Sequence, residues 1–240
     1  MNSLERRMVD TLKALKGDYG VFEIKCEFEA EGTRMEELMR LKDVCSAAGL
    51  PIILKIGGVE AVTDIYNALA VGVKAIIAPM AETPFALSKF LGIIENLVPK
   101  DNATDLEFAF NMETITCFQN LDAMLALPKL KLLQGMTVGR VDFTGSLGLD
   151  RDAVESEQVF ALTAEALRKG RRAGLRNGLG GAISARSLPF IARLNAEGLL
   201  DKYETRKVVF AADSVRHGEK AVLLEWMKDV VATTGEKKEH

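Results

Sequence analysis

Short apolar, β-rich runs alternate with helical patterns along most of the chain. Seven segments read as strands: 21–27, 51–56, 74–78, 107–111, 132–141, 176–182 and 207–211. Most are continuous apolar runs rather than alternating ones, the pattern of parallel strands covered on both faces. Between them lie amphipathic stripes. Leu38, Leu41, Cys45 and Ala48 form one, closed by Gly49 as a C-terminal cap. Leu87, Phe90, Ile94 and Leu97 form another, opened by Thr83 as cap and Pro84 at the first helical position, with Pro99 after its end. Further helices are expected near 121–127, 157–173, 188–199 and 219–232. An extra helix, with Leu4, Met8, Leu12 and Leu15 on one side, precedes the first strand.

Such alternation leaves two architectures, an eight-fold α/β barrel or an open doubly wound sheet. Doubly wound nucleotide binders place a glycine fingerprint straight after strand one. Here that strand runs into KCEFEAEGTR, which has none. The expected fold is therefore a TIM-type (β/α)8 barrel forming one domain over residues 1–240, with an N-terminal helix at 1–18 and a solvated tail at 234–240. With seven strands evident, the eighth must be irregular or hidden, and the first strand of the barrel is the candidate, since a helix stands in its place. The length suits this reading, since such barrels run to about 250 residues.

Composition narrows the partners. With 31 Lys+Arg against 34 Asp+Glu, no arm or face is basic enough for nucleic acid, and no lysine-rich amphipathic stretch suits a membrane surface. No segment reaches the roughly 20 apolar residues of a spanning helix. The N-terminus, MNSLERRMVDTLKALK, lacks the apolar core of a signal peptide, so a soluble cytoplasmic protein is expected. Cys26, Cys45 and Cys117 fall in separate elements without metal-ligand spacing and read as reduced, buried side chains.

In a barrel, catalytic groups collect at the C-terminal strand ends. Those positions offer Glu27, Glu29 and Glu31; Lys55 before Gly57-Gly58; Met80 and Glu82; Asn111 through Thr114; Gly139 through Gly145; Gly178 through Gly181; then Asp213 and His217. Glu113 and Asp142 close neighbouring strands, so their carboxylates should converge over the mouth. Two close carboxylates repel unless a proton or cation lies between them. With two histidines in the chain and no clustered cysteine, the cation would be hard, Mg²⁺ or Mn²⁺. The plainer reading is that both carboxylates cap the helices that follow. GRVDFTGSLG at 139–148 would present backbone N–H groups from a loop feeding a helix. The glycines at 178–181 suit either a phosphate cradle or close strand–helix packing.

At these residues the chain resembles the HpcH/HpaI aldolase and citrate lyase family of the pyruvate/phosphoenolpyruvate barrels. PIILKIGGVEAVTDIYNALAVGVKAIIAPMAETPFAL is similar to the family's strand–helix–strand block with its PM-x-ET-like turn. NMET at 111–114 is similar to its glutamate motif, and GRVDFTGSLG to its GPADLS-x-x-x-G motif. The resemblance implies metal ligation by Glu113 and Asp142, and enolate chemistry on a pyruvate-like 2-oxo acid. Asn111, Arg140, Val141 and Asp142 would then contact substrate, with backbone N–H groups around Val141–Asp142 on its carboxylate. Lys55 stands where the family has arginine, as a point charge rather than a fork, and would bind substrate and steady the enolate. The family's acidic–histidine motif is absent, which leaves Glu29 as the first choice for proton transfer, metal-bound water as the second and His217 as the third. The family is commonly oligomeric, so a homo-oligomer is expected, with Trp226 on a final helix available for contact.

Three other readings stay open. Citrate-lyase-like cleavage of a 3-hydroxyacyl thioester would need a phosphate surface, for which Arg168, Lys169, Arg171 and Arg172 are the candidate run. A Schiff base on Lys55 or Lys25 would dispense with metal. A barrel that has lost its acid–base residue would bind metal and ligand without turnover.

Overall fold

The structure is a computed structural model and describes residues 1–217. Eight strands close a barrel in chain order: β1 (Val21–Glu27), β2 (Ile52–Lys55), β3 (Ala75–Ala78), β4 (Glu107–Met112), β5 (Gly135–Gly139), β6 (Arg176–Gly180), β7 (Lys202–Glu204) and β8 (Val208–Ala211). The helices are α1 (Ser3–Tyr19), α2 (Met35–Ala48), α3 (Val62–Val71), α4 (Pro84–Leu97), α5 (Lys100–Asp105), α6 (Ile115–Leu125), α7 (Arg140–Ser146), α8 (Glu157–Arg172) and α9 (Leu188–Ala196).

Strands β1 to β7 pair in parallel, but β8 runs antiparallel to both β7 and β1. The hidden eighth strand is β7, not the first strand as expected: β1 is a seven-residue strand that follows α1. β7 is three residues long, reads Lys-Tyr-Glu, and turns straight back through Thr205–Lys207 into β8. A segment that short and charged carries no apolar run to reveal it. The seam between β8 and β1 contains a bulge at Phe22, and α1 packs its Met8, Val9, Leu12 and Leu15 face into the core beside α2.

Helix signals read from sequence hold. Gly49 caps α2 in the left-handed conformation, and Thr83 caps α4 by accepting from the Ala86 N–H, with Pro84 following. The fifth strand is shorter than its apolar run, because Leu130–Leu132 form a 3-10 turn and Arg140 already begins α7. The anticipated helix at 219–232, Trp226 and the tail lie outside the described residues.

Alternation along each strand sorts the core into two layers. Ile52 and Leu54 face the helices, whereas Ile53, Ala75, Ile77 and Val209 fill the barrel's centre. Around that small apolar plug the interior is charged. Glu204 is fully buried against Lys25 at 2.9 Å, and Lys25 also reaches Glu27 at 3.1 Å. Lower down, Lys202 bridges Glu204 and Glu23 at 3.4 and 3.3 Å. Ionised groups so far from water persist only when paired, and alternating sign along β1 and β7 provides the pairs.

Candidate active site

The mouth at the C-terminal strand ends is organised around Glu113. Inward positions of β4 alternate with Phe110 and Met112, which pack outward, so Asn111 and Glu113 both face the interior. Glu113 is buried and held on both oxygens: Oε1 accepts the Met80 N–H at 3.0 Å and Oε2 accepts Asn111 Nδ2 at 3.1 Å. Lys55 Nζ lies 3.8 Å from Oε2 and 2.5 Å from Glu29 Oε2. The predicted pair of Lys55 and Glu29 is thus in contact, and both belong to the same cluster as Glu113. Strand register also sets Glu27 beside Lys55, which joins this cluster to the Lys25–Glu204 pair below.

Burial lifts the Glu113 carboxyl above its ordinary value, and Lys55, the Met80 N–H and Asn111 offset this only in part. Burial pulls the Lys55 ammonium the other way, but Glu113, Glu29 and Glu27 outweigh it and hold the lysine above its usual range. Lys25 is likewise held up by Glu204 and Glu27 against its own burial. Both lysines stand as ammonium partners of carboxylates, Lys25 with Glu204 and Glu27 and Lys55 with Glu29, and a Schiff base on either would have to break those pairs.

Gly139 brings the second carboxylate's segment to Glu113. A Cβ there would lie 2.8 Å from Glu113 Oε2 and 2.9 Å from Glu113 Cβ, so glycine is needed for the approach. Asp142 sits in the first turn of the helix that starts at this point, exposed and with no ion pair or hydrogen bond from its side chain among the described residues. The segment 139–148 is therefore mostly a helix itself rather than a loop feeding one. Val141 lies half-buried in the same turn.

Arg140 requires a correction. Its side chain is completely buried and turned away from the mouth, bonded to Glu155 Oε2 at 2.8 Å, the Gly181 carbonyl at 3.0 Å and Ser187 Oγ at 3.1 Å. The guanidinium also stacks on Phe190. It ties the loops after β5 and β6 together and is not free to hold substrate. A helix first turn sends successive side chains in different directions, and the sequence motif alone did not show which way this one points.

The glycines at 178–181 serve packing. A Cβ at Gly178 would strike Thr137 Oγ1 at 2.5 Å, and one at Gly181 would lie 2.7 Å from the backbone nitrogens of Arg140 and Val141. His217 stands against Tyr19 at the opposite end of the barrel, because antiparallel β8 carries the chain away from the mouth. Three of the four cations in the basic run on α8 are paired with acids, Arg168 with Glu197, Lys169 with Asp122 and Arg171 with Asp201, and the fourth, Arg172, is exposed. A cavity of about 60 Å³ opens at the strand starts, lined by Glu23, Glu107 and Asp201, each neutralised by a neighbouring cation. It carries none of the groups gathered at Glu113. The three cysteines are free and buried, and burial pushes Cys45 and Cys117 up to about 12.

Oxygen donors at the mouth, the Glu113 carboxylate and the buried, unpartnered Asn111 Oδ1, are of the kind a hard cation takes. The exposed Asp142 carboxylate stands on the helix that begins beside Glu113. Among the described residues no group of three His, Cys, Asp or Glu is assembled for a metal. Open positions filled by water or substrate oxygens are what Mg²⁺ prefers.

No family model matches the sequence, and no curated protein matches it. Solved structures do. An HpcH/HpaI aldolase/citrate lyase family protein from Burkholderia cenocepacia superposes with a TM-score of 0.68 at 16% identity, covering 98% of this chain and 99% of that one. The HpcH/HpaI aldolase of Desulfitobacterium hafniense gives 0.64 at 14% identity, with 95% and 88% covered. The citrate synthase SbnG gives 0.67 at 15% identity, with 82% and 81% covered. These likenesses establish the barrel fold, and the structural neighbours carry the family name that the motifs at 111–114 and 139–148 resemble. No described helix is long and apolar enough to cross a membrane.

Proposed function

We propose that the chain is a divalent-cation-dependent carbon–carbon lyase or aldolase that works through the enolate of a pyruvate-like 2-oxo acid. The observation that carries this reading is the buried Glu113 carboxylate at the mouth, pressed against the start of the Asp142 helix and flanked by the Lys55–Glu29 pair. A cation held by Glu113 and Asp142, Mg²⁺ or Mn²⁺, would polarise the 2-oxo group as a Lewis acid. Lys55 keeps its proton and faces the negative charge that develops on the keto oxygen when a C3 proton leaves. Glu29, partly exposed and 2.5 Å from Lys55, takes that proton. First-turn N–H groups at Val141 and Asp142, which have no intrahelical acceptor, would receive the substrate carboxylate. Similarity to aldolase and citrate synthase structures supports this class of chemistry.

The thioester alternative is weakened because three of the four cations in the basic run on α8 are already paired with acids. A binding barrel without turnover draws its support from the position of His217, far from the mouth. The test is NMR of pyruvate in D₂O with Mg²⁺ or Mn²⁺, following methyl exchange. Cation-dependent exchange that disappears with chelator and in Glu113→Gln and Asp142→Asn supports the enolate reading. Tight cation and pyruvate binding without exchange would replace it with the binding barrel.

A further inference from the structure

Two non-glycine residues among those described have left-handed backbones, Met80 (φ 48°) and Ala182 (φ 53°), and both stand just past strand ends at the mouth. Such strain persists only where the surroundings over-determine it, and it collects at functional sites. Around Met80 the constraint can be named. Ala81 is fully buried. Glu82 is tied to α6 and its cap, its carboxylate accepting from the capping Thr114 Oγ1 at 2.7 Å and its carbonyl from Asn120 Nδ2 at 3.0 Å. Thr83 is occupied as the cap of α4. Between these anchors the Met80 N–H donates to Glu113 Oε1 at 3.0 Å, and only the left-handed turn joins the two. The Met80 side chain is 41% exposed, so it is not what holds the loop in place.

We propose that Met80 is a positioning residue: its strained backbone aims the N–H that fixes the Glu113 carboxylate, and the Glu113 bond in turn holds the strain. The first half rests on Glu113 serving as a cation ligand; the second half does not. The arrangement is a mutual lock. Glu113 keeps one orientation, with Oε2 left towards Asn111 and Lys55, because Oε1 is engaged by a main-chain donor that cannot rotate away.

Thermal unfolding of the full chain tests the lock without reference to activity. Met80→Gly should raise the midpoint by about 1–4 °C, relief of left-handed strain outweighing glycine's larger unfolded-state entropy. In a Glu113→Ala background Met80 is free to leave the left-handed region, so the same substitution should give no gain or a small loss. In a Glu113→Gln background, which keeps the acceptor, the gain should persist. A gain of equal size in all three backgrounds, or a loss in the parent, would overturn the lock.

Mn²⁺ binding followed by electron paramagnetic resonance supplies the functional arm and does not depend on the alanine variant folding. Met80→Gly takes the left-handed turn without strain and keeps the N–H on Glu113, whereas Met80→Pro has no N–H to give and should bind Mn²⁺ several-fold more weakly. Affinity is read on folded protein well below its midpoint, where a merely structural role would leave it unchanged. Parental affinity in a folded Met80→Pro would overturn the positioning role. A parent protein that binds no Mn²⁺ would instead sink the proposed function, and the unfolding comparison alone would then decide Met80.

Discussion

Gly139 offers a sharp test of how the mouth is assembled, because alanine there changes one methyl group and nothing in the allowed backbone. Its φ of −92° is open to any residue. Alanine in an unobstructed site of that kind should stabilise by about 0.4–1 kcal/mol, through a less flexible unfolded chain. The structure opposes this. The new methyl would lie 2.8 Å from Glu113 Oε2 and 2.9 Å from Glu113 Cβ. The carboxylate tip could swing, but the Cβ is fixed to β4, and the tip is bonded to Met80 and Asn111. Overpacking of this kind costs about 1–3 kcal/mol, so the collision wins by about 1–2 kcal/mol. For a domain of this size each kcal/mol moves the midpoint by about 2–4 °C. Gly139→Ala should therefore melt a few degrees lower, and excess Mg²⁺ or Mn²⁺ should stabilise it less than the parent, because Glu113 is pushed from its place. Differential scanning calorimetry with and without the cation gives both values. A variant that melts at or above the parent and gains equally from cation would refute the close approach of β5 to Glu113.

Two further outcomes follow from the buried charges. Glu204 is fully buried, and although burial works against it, Lys25 and Lys202 hold its carboxyl down at about 2 from an ordinary 4.5. That difference is worth about 3 kcal/mol of stability. The contribution is complete above the unfolded value and is lost as pH falls from 4.5 towards 2, because the unfolded chain binds the proton first. Urea midpoints across that range should fall steeply in the parent and be flatter in Glu204→Gln, itself less stable at neutral pH with Lys25 and Lys202 deprived of its charge. At the mouth, Lys55→Met should abolish pyruvate exchange and cost about 3–5 kcal/mol by leaving Glu29 and Glu113 facing each other unneutralised. Lys55→Arg should retain the charge and a measurable part of the exchange. Exchange at the parental rate in Lys55→Met would remove the lysine from the mechanism.

Much of this was legible in the sequence because it rests on local rules. Continuous apolar runs gave seven strands, caps such as Thr83-Pro84 and Gly49 gave helix ends, and the order of strand ends gathered Lys55, Glu29, Asn111, Glu113 and Asp142 as candidates. One-dimensional pattern suffices where an element's type depends on its own periodicity and its end groups. β7 escaped because three residues contain less than two periods of alternation, and the reversal of β8 escaped because strand direction is set by pairing partners distant in sequence. Side-chain destination was the other limit. Nothing local distinguishes Arg140, buried under Glu155 and Ser187, from Asp142 two residues on, which stands free in solvent. The left-handed turn at Met80 and the bare α-carbon of Gly139 likewise acquire meaning only when Glu113, on another strand, arrives beside them. The sequence by itself determined the groups that end the parallel strands at the barrel's mouth, but not that the reversal of β8 carries Asp213 and His217 away from it. Tertiary packing decided which way the groups at the mouth face and what they touch, because those depend on contacts between segments tens of residues apart.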